Sequence, residues 1–413
     1  MAFPILMKKY HIGKEIIDSV DLKCLLISNG VKVNQDVYTL FGKDYRLSLN
    51  PMACNSLVLS DNTNVQLTDV GFHLKLLNNM LSWSNFKLLK YMSQLKTPFR
   101  LQVLDNKPAL FYEKDFVDFV TFHKKTNFYT QKTSQGLPYI GNAVLQGCDF
   151  VSFQCLWSCE YAAKGKPCQY CFSGAMFQSL AKKGKPQPEV IETSDVVEIV
   201  QHAVNNGDAN SLQITGGSTF LGKTERKHIS AYLKALSECD TKLSGEILLY
   251  ITPPDDFSYI DEYFALGTSR IACSIEVWDI NRAKIITPGK VDFTTRERHL
   301  KVLEYIASKY GKNKAFSNFI IGLEDIETLT EGATYLAERG IIPSASVWIP
   351  MGRPVMGSMA APTLDYFRRA KEMLAELYSK YNLSPAGGCG LNVCVEKDIS
   401  RMQLDENTTG FNN

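Results

Sequence analysis

Three cysteines share one short loop, Cys159-Glu-Tyr-Ala-Ala-Lys-Gly-Lys-Pro-Cys168-Gln-Tyr-Cys171, directly after a strand-like run. Thiolates are metal ligands, but no fourth cysteine or histidine lies close enough in sequence to complete an ordinary four-ligand zinc site. Three thiolates on a four-iron cluster leave one iron with an open coordination position, and an open iron is where chemistry can happen. That reading implies a redox enzyme with a further molecule bound at the open iron. Zinc stays the competing occupant, with Cys155 or the distant Cys389 and Cys394 as possible extra ligands. The protein would then be a zinc-stabilised binding protein without redox chemistry.

The remaining thiols are scattered. Of eleven cysteines, five fall between Cys148 and Cys171, while Cys24, Cys54, Cys239 and Cys273 are solitary and Cys389 and Cys394 form a loose pair. A disulfide framework belongs to small secreted domains, whereas clustered thiols in a reducing compartment are more often metal ligands. The chain has 413 residues, 45% hydrophobic and 21% charged, with a formal charge of +2, so it reads as a globular protein of two or three units. This near-neutral balance gives no electrostatic case for a nucleic-acid partner. No apolar run approaches the roughly 18 residues that span a bilayer, so no membrane association is expected. The first residues place their lysines after the apolar stretch, the wrong order for a secretory signal, and the expected location is cytoplasmic.

The elements around the thiols divide the chain. Residues 1–140 read as an α+β module, with short apolar bursts between turns such as Ser28-Asn29-Gly30 and a helical pattern over Leu76 to Leu95. Beyond it, short strands alternate with helices. The strands are expected at Phe150–Leu156, Ser211–Thr215, Glu246–Thr252, Ile271–Val277, Phe316–Ile321 and Ala345–Ile349. The helices are expected at Ser194–Asn205, His228–Cys239, Tyr259–Leu266, Thr295–Tyr310, Leu329–Arg339 and Leu364–Tyr381. Such alternation implies parallel strands joined by right-handed crossovers. The fold class is therefore α/β, a partial (β/α)6-type TIM-like barrel over residues 141–360 with an additional N-terminal α+β module. Residues 361–413 form a C-terminal helix and a cysteine-containing tail packed on the barrel.

The two faces of these strands differ. One carries Ser152/Gln154, Ser211/Gln213/Thr215, Glu246/Tyr250/Thr252, Ser274/Glu276 and Ser344/Ser346/Trp348; the other carries Val, Ile, Leu, Phe and Cys, including Cys155. The apolar face belongs against the helices, which makes Cys155 a core thiol. The polar face is then a lumen that needs hydrogen-bonding partners, since an unpaired buried polar group costs about 1–3 kcal/mol. A register slipped by one residue would invert the two faces.

The thiols lie at the C-terminal end of the first strand, where barrels of this kind place their active sites. The loop resembles the cluster loop of the radical S-adenosylmethionine (radical SAM) superfamily, commonly CxxxCxΦC with Φ aromatic. Tyr170 takes the aromatic place, near the cofactor's adenine in that family, but eight residues separate Cys159 from Cys168 instead of three. Three further stretches are similar to family sites. Ile214-Thr215-Gly216-Gly217-Ser218-Thr219 resembles the "GGE" turn that contacts the methionine amino group, with Ser218 in place of the acid. Its glycines would permit close approach to the ligand and positive φ. Ser274 and Glu276 fall where a polar strand-four residue binds the ribose, and Arg282 fits the partner of the methionine carboxylate. Asn318-Phe319-Ile320-Ile321-Gly322-Leu323-Glu324 partly matches GxIxGxxE, with Ile320 and Gly322 beside the adenine.

The resemblance covers about residues 147–355. It implies that Cys159, Cys168 and Cys171 hold a [4Fe–4S] cluster and that S-adenosyl-L-methionine chelates the fourth iron. Reductive cleavage would yield a 5′-deoxyadenosyl radical that abstracts hydrogen from a small biosynthetic metabolite or a peptide in the lumen. A low-potential donor, flavodoxin or ferredoxin, is implied, with Lys164 and Lys166 placed to guide an acidic one. Arg353, in the turn after the sixth strand, is placed to meet an anionic substrate group. Cys389, with Cys394, is a candidate hydrogen donor or radical trap, or else a core thiol.

Overall fold

Short apolar runs broken by turn residues fold into short ladders at the start of the chain. A computed structural model describes residues 8–47, 55–70, 96–146, 149–171, 190–349, 359–385 and 393–401. Strands β1 (Tyr10–Ile12) and β2 (Glu15–Ile17) form a hairpin. Helix α1 (Ser19–Asn29) begins at a capping box in which Asp18 and Asp21 each accept from the other's backbone N–H. Then come β3 (Lys32–Val33), α2 (Gln35–Phe41), β4 (Ser56–Val58), β5 (Asn64–Gln66), β6 (Phe99–Leu104), β7 (Lys107–Tyr112), β8 (Asp115–Phe119) and β9 (Thr121–Phe122). They make sheets in the orders β3-β6-β7-β8 and β5-β4-β9. The helical pattern expected over Leu76 to Leu95 lies outside the described residues.

The larger sheet orders β10 (Ala143–Gln146), β11 (Phe150–Gln154), β12 (Ser211–Thr215), β13 (Ile247–Tyr250), β14 (Arg270–Ala272), β15 (Ala315–Ile321) and β16 (Ile342–Val347) in sequence. It is an open half-barrel, parallel from β11 to β16, with β10 antiparallel at one edge. The connecting helices are α3 (Glu160–Ala163), α4 (Thr193–Asn205), α5 (Lys223–Glu238), α6 (Ser258–Ala265), α7 (Ile280–Ile286), α8 (Arg296–Tyr310), α9 (Ile326–Glu338) and, after β16, α10 (Leu364–Lys380). A π-helical turn at Lys290–Thr294 precedes α8.

Register sets the two faces. Ser152 pairs with Gln213 and Gln154 with Thr215, while Asn318 pairs with Ser344 and Ile320 with Ser346. The same face is apolar near the strand starts, where Phe150, Leu248, Phe316 and Ile342 are buried and the Tyr250 ring meets Phe316 edge-on at 5.3 Å. The lumen therefore has a dry floor and a polar upper half.

One expected strand is corrected. Over Ile271–Val277 the regular ladder stops at Ala272. The Cys273 N–H still donates to the Phe316 carbonyl (3.3 Å), but the next donor to β15 is Glu276, to the Asn318 carbonyl at 2.9 Å. Donors three apart face acceptors two apart, so one residue is extra and the strand bulges. The Ile275 N–H turns to the Ser317 hydroxyl at 2.9 Å, and Glu276 adopts φ 71°. A non-glycine residue in this region costs free energy and clusters at functional sites.

The far edge of β16 is covered by the tail. Ser346 and Cys394 form an antiparallel bridge, and the Val395 N–H donates to the Ala345 carbonyl at 3.1 Å. Helix α1 packs beside α10 and β16. Lys371 of α10 pairs with Asp18 and Asp21 at 2.6 Å each.

Candidate active site

The cysteine loop leaves the top of β11. Cys159 caps α3, so the eight residues that set this loop apart begin as a helical turn. Tyr161 on that turn is buried, stacks on Phe220 and Phe293, and shares a 2.7 Å hydrogen bond with Thr294. The Glu160 N–H donates to the Ser218 carbonyl (2.8 Å), and the Glu160 carboxylate accepts from the Phe220 N–H. Lys166 pairs with Asp292. On the other flank the Gln169 N–H donates to the Ile286 carbonyl at 2.8 Å. The long loop is thus pinned between the turn after β12 and the segment after α7.

Gly216 and Gly217 serve that pinning. Neither uses the positive φ that glycine would permit. A Cβ on Gly217 would sit 1.8 Å from the Ser158 carbonyl oxygen, and one on Gly216 would sit 3.0 Å from Cys155 Sγ. The close approach they permit is to the segment 155–159 that leads from β11 into the cysteine loop. Glu225, from the first turn of α5, braces the same turn. Its carboxylate accepts from the Thr219 N–H (3.1 Å), the Thr252 N–H (3.1 Å) and the Thr252 hydroxyl (2.6 Å). Burial pushes Glu225 up to about 7.

Burial pushes Cys168 up to about 12, the Lys290 charge is the largest influence pulling it back, and Cys171 and Cys159 push it up further. Among the described residues no three Cys, His, Asp or Glu side chains converge on a single metal ion. A [4Fe–4S] cluster asks instead for one thiolate per iron, and three half-buried thiols on one loop fit that donor set. Cys155 is buried on the helix side, and burial raises its thiol, so it is the core residue expected.

Tyr170 lies beside Cys168 and Glu276, and burial, its largest influence, raises its hydroxyl far above the usual range. Its ring packs with Ile320 against a small apolar cluster of Val277, Ala283, Ile286, Leu323 and Trp348. Gly322, at φ 107°, admits Pro362, whose Cγ would be 2.4 Å from a Cβ there. Arg282 is exposed and, with Gly322, Leu323, Glu324, Asp325 and Met359, lines an open cavity of about 310 Å³. Glu324 closes the ends of β14 and β15 by accepting from the Trp278 and Asp279 N–H groups at 2.7–3.0 Å.

Below Tyr170 the lumen holds a chain of contacts. Glu276 accepts from Lys290 Nζ (3.2 Å) and Asn318 Nδ2 (2.9 Å), and the Ser346 hydroxyl donates to Asn318 Oδ1 at 2.8 Å. The Cys394 thiol lies 3.6 Å from the same hydroxyl. Lys290 also donates to the Ser274 carbonyl at 2.5 Å. Gln213 Oε1 and Trp348 Nε1 are buried without a hydrogen-bond partner among the described residues. Arg353 and Cys389 lie outside the described residues.

Lys290, Asn318 and Glu225 were not found by sequence reasoning. Asn318 alternates with Ile320 on β15, a signal that was available. Lys290 follows the turn Thr287-Pro288-Gly289, where only its position after the fourth strand could have marked it.

The site so described is an open parallel half-barrel with three thiols on the loop after its first parallel strand. Residues 159–331 match the family model of the Radical SAM superfamily. Members of the superfamily use a [4Fe–4S] cluster and S-adenosylmethionine.

The chain is 27% identical over 263 residues to a bacteriochlorophyllide c C-7(1)-hydroxylase from Chlorobaculum limnaeum, a match covering 60% of this chain and 65% of that protein. It thus spans about 65% of that relative's length. Similar solved structures include a radical SAM methyltransferase from Sphaerobacter thermophilus (11% identity, 72% of this chain and 79% of that one, TM-score 0.40). Another is a coproporphyrinogen III oxidase from Escherichia coli (16% identity, 45% of each chain, TM-score 0.33).

Proposed function

We propose that Cys159, Cys168 and Cys171 hold the [4Fe–4S] cluster, and that the chain abstracts hydrogen from a small metabolite or peptide seated in the lumen. The observation that carries this reading is the convergence of Cys168, Tyr170, Glu276 and Lys290 at the mouth of the polar half of the barrel. When bound, the cluster and S-adenosylmethionine supply a 5′-deoxyadenosyl radical as the hydrogen acceptor. The protein's own residues bind, orient and exclude water.

Tyr170 and Ile320 offer an apolar wall for the adenine, Glu276 and Ser274 the polar contacts for the ribose, and Gly216, Gly217 and Ser218 the backbone for the amino group. Arg282 is the proposed carboxylate partner, and Arg353 and Cys389 are proposed to act on substrate. The orphaned Gln213 carbonyl and Trp348 indole N–H support a polar occupant, because leaving either unpaired costs about 1–3 kcal/mol. A hydroxylase among the relatives agrees with a carbon-bound hydrogen as target. Residues 1–140 are proposed to recognise the substrate or cap the barrel, residues 141–360 to be the catalytic unit, and residues 361–413 to pack on it. A cytoplasmic flavodoxin or ferredoxin is the proposed electron source.

Anaerobic iron–sulfur reconstitution tests the assignment. The expected product is brown, holds four irons per chain and forms 5′-deoxyadenosine under reductant. Colour and product are lost in Cys159→Ala, Cys168→Ala and Cys171→Ala and kept in Cys155→Ala. A colourless protein holding one zinc would sink the reading.

A further inference from the structure

Lys290 opens the π-helical turn Lys290–Thr294, and such turns are rare and frequent at functional sites. The segment before it is pressed onto the cysteine loop: a Cβ on Gly289 would meet Tyr161 Cβ at 2.5 Å and the Lys166 carbonyl at 2.6 Å. Its ammonium is fixed from below by the Ser274 carbonyl and by Glu276, whose second oxygen is held by Asn318. The strand bulge and the φ of 71° at Glu276 keep that carboxylate in place. Only 16% of the Lys290 side chain is exposed, so water screens its charge poorly.

We propose that Lys290 is a positioning residue of the metal loop whose ammonium, held by Glu276 and the Ser274 carbonyl on a segment pressed onto the cysteine loop, raises the reduction potential of the cluster. The proposal rests on the assignment of the cluster to Cys159, Cys168 and Cys171. Adding one electron makes the cluster more negative, and a fixed nearby cation favours that state. Lys166, half exposed on the same loop and paired with Asp292, lacks this leverage.

The test is a redox titration of the reconstituted full-length protein with dithionite and viologen mediators, following the paramagnetic signal of the reduced cluster. The electron passes from dithionite to the cluster. K290M is expected to make reduction at least tenfold less favourable, a downward shift of about 59 mV or more for one electron. K290R keeps the charge and stays near the parent, as does K166M. An unchanged midpoint in K290M at full iron content overturns the proposal, and so does an equal shift in K166M. If K290M holds no iron, K290Q, which keeps a donor for the Ser274 carbonyl, carries the same expectation. Loss of iron from both but not from K290R supports the proposal, since the charge is then needed to hold the thiolates. A parent protein that takes up no iron overturns the thiol assignment and the role of Lys290 with it, whereas a loaded parent with an unmoved K290M overturns only the latter.

Discussion

Glu225 braces the turn after β12 with a carboxylate that accepts from Thr219 and Thr252. Its folded-state pKa, about 7, lies above the usual value of 4.5 because the group is buried. The folded state then binds the proton more tightly than the unfolded one. This contribution to stability is fully present below pH 4.5 and is lost as the pH rises through about 7, on the order of 3 kcal/mol. Glu225→Gln should remove that slope while costing about 1 kcal/mol throughout, because its amide nitrogen would face the Thr252 N–H. Urea midpoints of both proteins between pH 5 and 8 check it, and parallel curves would refute the assignment. The residues legible in the sequence were those with few alternative uses: three thiols on one loop, and the aromatic Tyr170 before the last. Glu225, Lys290 and Asn318 are common residue types whose meaning comes from neighbours distant in sequence.

At the scale of elements, alternation and turn residues placed the strands well where the ladder is regular. Ser211–Thr215 was located to the residue, and the helices expected at Ser194–Asn205 and Leu364–Tyr381 differ from α4 and α10 by one residue at one end. The bulge at Glu276 was illegible because one extra residue leaves composition and periodicity nearly unchanged while altering the register. β10 was missed since an antiparallel edge strand breaks the strand–helix alternation. The eight-residue gap in the cysteine loop was visible, but its use was not. It forms α3, whose Tyr161 docks on Phe220 and Phe293, and so makes the loop depend on the turn after β12. Gly217→Ala should force that turn and the Ser158 carbonyl apart. The expected cost is about 3 kcal/mol, with most bound iron lost on reconstitution, whereas Gly216→Ala, with its nearest contact at 3.0 Å, should keep most of it. Equal iron content in the two variants would show that the turn does not hold the loop.

At the scale of the whole molecule, the sequence suggested an N-terminal module, a barrel and a tail, and it could not show how they depend on one another. Lys23 of α1 lies at that junction with its side chain fully buried. Its ammonium donates to the Cys394 carbonyl and pairs with Asp398, both at 2.6 Å. Taking an ammonium out of water is costly, and the ion pair and the carbonyl offset the cost only while all the partners stay in place. Lys23→Met fills the space but leaves Asp398 only its 3.6 Å pairing with Arg401 and takes this donor from the Cys394 carbonyl, a loss of about 3 kcal/mol. The tail should then leave β16, where the Val395 N–H donates to the Ala345 carbonyl, and Cys394 should leave the Ser346 hydroxyl that links it to Asn318 and Glu276. Hydrogen exchange at Val395 should rise steeply in this variant, while amides of β12 and β13 keep their protection. Exchange at Val395 that matched the parent would mean that Lys23 does not help to hold the tail on β16.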